Sequence, residues 1–134
     1  MIHRLKVYVA GPIDGSGRHI PNLRRALDAG SKLMSDGFDP FIPHLNLIWS
    51  LVHEGCATGA RWQEWDDNWL RCCDGLYRLS GVSPGSDHEV ALAQSLGLPV
   101  FFEADADGHE RLQWWRVETV RLLPRNGAIF VVGG

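Results

Sequence analysis

Cysteine is scarce in this chain, and what there is does not pair. Cys56, Cys72 and Cys73 are an odd number, two of them adjacent, with no C-x-x-C spacing. Neither a disulfide framework nor a zinc site is implied. Long apolar runs are also missing. None approaches the ~18 residues that a membrane helix needs. The first six residues run into a strand-like segment without the apolar core of a signal peptide. A cytoplasmic protein with no membrane partner is therefore the expectation. Excess charge is small too. A formal net charge of -3 exerts no long-range pull on a polyanion, which argues against a nucleic acid polymer as partner. A mononucleotide stays possible, because a local phosphate site needs only a few donors. No cofactor is expected. Repeats, linkers and low-complexity stretches are absent, and 134 residues fit a single domain, 1–134, with a core that closes unaided.

What is present alternates. Residues 5–10 (LKVYVA) read as a buried first strand, ended by Gly11-Pro12. A glycine-rich loop follows. Then comes a helix with Pro21 in its first turn and Leu23, Ala26, Leu27, Gly30, Leu33 and Met34 on one face, stopped by Gly37. Residues 38–47 are apolar but hold two prolines, which predicts a short or edge strand and then a loop. Residues 50–60 read as irregular or a short helix. Helices are predicted over 61–73, 86–96 and 108–123, and strands over 74–79, 99–102 and 128–132. This alternation predicts an α/β fold, a doubly wound five-stranded parallel sheet of flavodoxin or Rossmann type. Ligands in such folds bind beyond the carboxyl ends of strands. The loops there are 11–17, with Gly11, Pro12 and Ile13, and 81–86, with Ser83, Gly85 and Ser86.

Two carboxylates fall on faces that should be apolar. Asp66 has Trp62, Trp69, Leu70 and Cys73 at helical spacing, whereas Asp67 shares the polar side with Gln63, Glu64 and Arg71. A carboxylate on a core face is costly unless it is paired, protonated or opens into a cavity. A backbone cap or an arginine partner would equally account for Asp66. Glu89 has Leu92, Ala93 and Leu96 as its inward neighbours. Ser86-x-x-Glu89 matches a capping box, and spacing alone favours that structural role. Ser83-Pro84 is a competing helix start that would leave Glu89 in the second turn, beyond a cap's reach. Glycine at position 85 would let backbone approach a ligand, and the helix start would offer an anion site. His44 and His88 are weaker acid–base candidates. Trp65 could stack on a base, though tryptophans at this spacing are mostly core. Trp114 and Trp115 face opposite ways on one helix, which puts one of them at a pocket or subunit interface.

In order and spacing, four segments resemble the nucleoside 2-deoxyribosyltransferase superfamily, which includes 2'-deoxynucleoside 5'-phosphate N-hydrolases. They are Tyr8-Val9-Ala10-Gly11-Pro12-Ile13, Trp65-Asp66 with Cys73-Asp74 after it, the S-x-G-x-x-x-E run from Ser83 to Glu89, and 93–100 (AQSLGLPV). The resemblance implies that Glu89 is the nucleophile attacking C1' of the sugar. It implies that Asp66 handles the sugar hydroxyl and leaving base, and that Tyr8 holds the glutamate. It also implies an oligomer whose pocket a neighbouring subunit completes. Two departures oppose each other. Asp14 stands where the N-hydrolases carry an arginine, with Arg18 near enough to substitute, and Ser83 stands where the free-nucleoside transferases carry an aspartate. Phosphate recognition therefore stays open. Residues 105–134 match nothing in the family pattern. Three functions compete: an N-glycosidase acting on a nucleoside or nucleotide by transfer or hydrolysis, a non-catalytic nucleotide-binding module, and a protein-interaction domain using Trp114 and Trp115.

Overall fold

The computed structural model describes residues 3–13 and 18–121. The elements run β1 (Lys6–Ala10), α1 (His19–Ser35), β2 (Asp39–Phe41), a 3-10 turn (Pro43–Leu45), α2 (Asn46–Val52), α3 (Gly59–Leu70), β3 (Gly75–Arg78), α4 (Pro84–Ser95), β4 (Val100–Phe102) and α5 (Gly108–Arg121). Among the described residues four strands form one parallel sheet in the order β2-β1-β3-β4. The architecture is α/β and Rossmann-like. The fifth expected strand, 128–132, lies outside the described residues.

Side-chain alternation along β1 divides the core. Val7 and Val9 pack with Ala26 and Leu33 of α1, Leu112 of α5 and Phe101 of β4. Tyr8 and Ala10 face the other way, onto Leu70, Cys73, Leu76 and Ala93 beneath α3 and α4. Helices therefore cover both faces, as right-handed crossovers require. α5 packs on the α1 face. A right-handed crossover to a further strand outside β4 would place it with α3 and α4, so α5 does not occupy the position that a continued five-strand winding assigns it.

Local boundaries differ from expectation where backbone chemistry overrides the apolar pattern. α1 starts at His19, two residues before Pro21, and Leu27 and Met34 of its expected buried face are exposed. Asn22 is buried instead, its Nδ2 donating to the Ile13 carbonyl at 3.2 Å. The segment after β2 turns helical, with Pro43 at the first position of a 3-10 turn, and among the described residues no strand lies beyond β2. α3 begins at Gly59, capped by the Thr58 side chain, which accepts from Arg61 N at 3.1 Å. Among the described residues no helix is long and apolar enough to cross a membrane.

From β1 the chain steps to β2, then crosses back over β1 to β3. The direction of winding reverses between β1 and β3, and the loops leaving these strands diverge there. In an open parallel sheet that reversal opens a cleft at the carboxyl edge.

Candidate active site

The cleft holds a cavity of about 330 Å³. Its walls are Gly11, Pro12 and Ile13 after β1, Pro43, Asn46, Leu47 and Ser50 around α2, Gly59, Trp62, Gln63 and Asp66 on α3, and Val82, Ser83, Pro84 and Gly85 before and within α4. Two glycines let the walls meet. A Cβ at Gly11 would stand 3.0 Å from Leu79 side-chain atoms. Gly81, at φ +121°, would bring a Cβ to 2.8 Å from Pro12 Cγ.

Glu89 and Tyr8 lie buried behind the cleft and are not among the residues that line its cavity. Ser83 is the N-cap of α4, accepting from Ser86 N at 3.1 Å, with Pro84 as the first helical residue. The helix therefore begins early enough to leave Glu89 in its second turn, on the inward face with Ser86 and Ala93. The Ser86–Glu89 capping box does not form. Ser86 instead accepts the Ser83 hydroxyl at 2.8 Å, is fully buried and lies outside the cavity lining. Glu89 is 6% exposed, and its Oε2 accepts a hydrogen bond from the Tyr8 hydroxyl. Tyr8 is wholly buried, since the β1 alternation points it at α4.

Asp66 is 8% exposed and opens onto the cavity. The Asn46 side-chain amide donates to its Oδ1 at 2.9 Å. Burial pushes Asp66 up to about 7 against the favourable Asn46 bond, with Asp67 adding repulsion. Burial likewise pushes Glu89 up to about 8. Its Tyr8 hydrogen bond pulls the other way, and the negative charge of Asp66 raises it further. Burial, then Glu89 and Asp66, hold the Tyr8 hydroxyl well above the ordinary tyrosine range, so it stays a donor. The three groups are thus electrically coupled, and the two acids together favour retaining a proton near neutral pH.

Other sequence candidates take different places. Gly11, Pro12, Ile13, Ser83 and Gly85 line the cavity. A Cβ at Gly85 would make only an ordinary 3.5 Å contact with Gln63 Oε1, so close approach does not require glycine there. His44 is buried with Nε2 at 3.1 Å from the Pro12 carbonyl, bracing the β1 loop, and burial lowers its pKa. His88 is on the surface, paired with Asp67 at 2.9 Å. Trp65 is not in the lining. It packs among Trp49, Trp62 and Trp69, and Trp62 is the aromatic wall of the cavity.

Two residues escaped the sequence reading. Asn46 is one, because its helix was hidden in an apolar stretch with prolines. Arg78 is the other. It ends β3, is buried, and binds the Gly81 carbonyl at 2.9 Å and Asp87 at 3.1 Å. Its charge favours ionised Glu89. An arginine at a strand's carboxyl end before a Ser-Gly turn was the available signal.

A parallel α/β fold with two buried acids at its winding reversal is the class of protein these features define. No family model and no curated protein matches the chain. Solved structures do. A 2-desoxiribosyltransferase from Leishmania mexicana superposes with a TM-score of 0.53 at 16% identity, over 73% of this chain and 63% of that one. A conserved protein from Enterococcus faecalis V583 superposes with a TM-score of 0.61 at 20% identity, over 84% of this chain and 75% of that one. The chain thus spans less than two thirds of the Leishmania transferase. At these identities the likeness is one of fold, and it agrees with the superfamily that the sequence motifs resemble.

Proposed function

We propose that the protein cleaves the N-glycosidic bond of a nucleoside or nucleoside 5'-monophosphate through a covalent glycosyl-Glu89 intermediate. The observation that carries this reading is the convergence of Glu89, hydrogen-bonded by Tyr8, with cavity-facing Asp66 at the carboxyl edge of the sheet. A Glu89 carboxylate oxygen forms the bond to C1' as the bond from C1' to the base nitrogen breaks. Asp66, carrying the pair's proton, delivers it to the departing base. A second base or a water then attacks C1' and releases Glu89, which makes the outcome transfer or hydrolysis with net retention. Tyr8 fixes the direction of the carboxylate. The reactive form has Glu89 ionised and Asp66 protonated, the minor arrangement of the singly protonated pair because Glu89 holds its proton the more tightly, and base release should fall on both sides of the interval around pH 7 to 8 that the two acids occupy. We further propose a homo-oligomer, motivated by apolar side chains left exposed on α2 and α5.

The test is a screen of the common nucleosides and their monophosphates, with and without acceptor bases, for free base by chromatography. Both Glu89→Ala and Glu89→Gln should lose base release by several orders of magnitude, since an amide keeps the shape but is a poor nucleophile. Wild-type rates from Glu89→Gln would sink the mechanism. Ligand binding with no base release would select the non-catalytic nucleotide-binding module instead.

A further inference from the structure

Taking its ligand class from the reading just proposed, we infer that the cavity selects the uncharged nucleoside over its 5'-monophosphate. Among the described residues Asp66 is the only ionisable group in the lining, and no lysine or arginine contributes to it. A phosphate dianion entering there loses water and gains no countercharge, which is costly.

The start of α4 would be the natural anion cradle, but its donors are spent. Pro84 has no N–H, and Ser86 N is taken by the Ser83 side chain. The Ser83 hydroxyl hydrogen goes to Ser86 Oγ, and Asp87 N closes the first helical bond to the Ser83 carbonyl. Gly85 N–H alone remains, where phosphate-binding helix starts present several donors. Asp87 in the same turn is paired with Arg78 at 3.1 Å.

Two nearby cations are committed elsewhere, and Arg61, exposed on α3 at 4.0 Å from Glu64, stands outside the lining. Arg78 is buried behind the loop on Gly81 and Asp87. Arg25 is held by Glu103 at 2.8 Å and the Ser80 carbonyl at 3.2 Å. Arg18 is exposed and outside the lining. Val82, which also lines the cavity, is apolar and 93% exposed and offers no side-chain donor.

Calorimetry on the intact protein with the four common 2'-deoxynucleosides and their 5'-monophosphates tests this, with base release scored in parallel. The best-bound nucleoside should bind at least about tenfold more tightly than its monophosphate. Val82→Arg, at an exposed site, should shift that ratio toward the monophosphate by about fivefold, the worth of one partly screened charge pair. A monophosphate that binds as well as its nucleoside overturns the inference, as does a ratio that Val82→Arg leaves unmoved. Binding of neither class at millimolar concentration overturns it too. Nucleoside-selective binding without base release supports it while defeating the glycosidic reading, so the two failures are distinct.

Discussion

Glu89 holds its proton far above the ordinary glutamate range because almost no water reaches it, and that has a consequence for stability. Its pKa rises from 4.5 to about 8 on folding, chiefly through burial. Between those values the folded chain keeps a proton that the unfolded chain has lost. The stabilisation is therefore fully present below about pH 4.5 and is lost as pH climbs through about 8. Between about pH 6 and pH 9 the loss from this residue is on the order of 3 kcal/mol. Glu89→Gln removes the titrating group, so its urea stability should fall less over the same range than that of the wild type. Equal declines in both proteins would mean that Glu89 titrates normally.

At the scale of elements, α2 is the piece whose role depends most on its placement. Its apolar side chains Ile48, Trp49, Leu51 and Val52 are exposed, and none of its residues is buried. Yet its first residue, Asn46, donates to Asp66 and lines the cavity. That bond favours ionised Asp66. Asn46→Ala should therefore raise the Asp66 pKa and move the pH profile of base release upward, while costing about 1 kcal/mol of stability for the lost hydrogen bond. An unshifted profile would reduce Asn46 to a structural contact. α4 shows the complementary case, where a cap decides chemistry. With Ser83 as N-cap and Pro84 after it, Glu89 falls on the face toward Tyr8. A start at Ser86 would have spent Glu89 on capping its own helix.

Over the whole molecule, large apolar side chains remain in water on α1, α2, α3 and α5. α5 exposes Trp114, Val117 and Val120 besides the α2 set, while Trp115 on its other side stacks on Phe38 and packs against Phe101. Patches of this kind in small proteins mark contact surfaces. Sedimentation at micromolar concentration should accordingly give at least a dimer, and Trp114→Glu or Leu51→Glu should weaken it. A monomer at that concentration would count against the oligomer.

The chain order of strands and helices was legible because apolar periodicity and the glycine and proline stops are local signals. So was the anomaly of Asp66 and Glu89, since a carboxylate inside an apolar stripe is visible from spacing alone. The sequence by itself thus determined a parallel α/β framework with two misplaced acids and the loops where a ligand would sit. It left undecided whether Glu89 was a cap, because both serines were competent and only packing of α4 on β1 and α3 chooses between them. It also missed Asn46 and Arg78, whose partners lie twenty residues and nine residues away across turns that no periodic pattern encodes. Only the tertiary structure decided these, along with the side of the sheet taken by α5 and the absence of lysine and arginine from the cavity lining among the described residues. The reason is that burial and charge compensation are properties of groups brought together from distant parts of the chain, and local sequence carries no record of which groups those are.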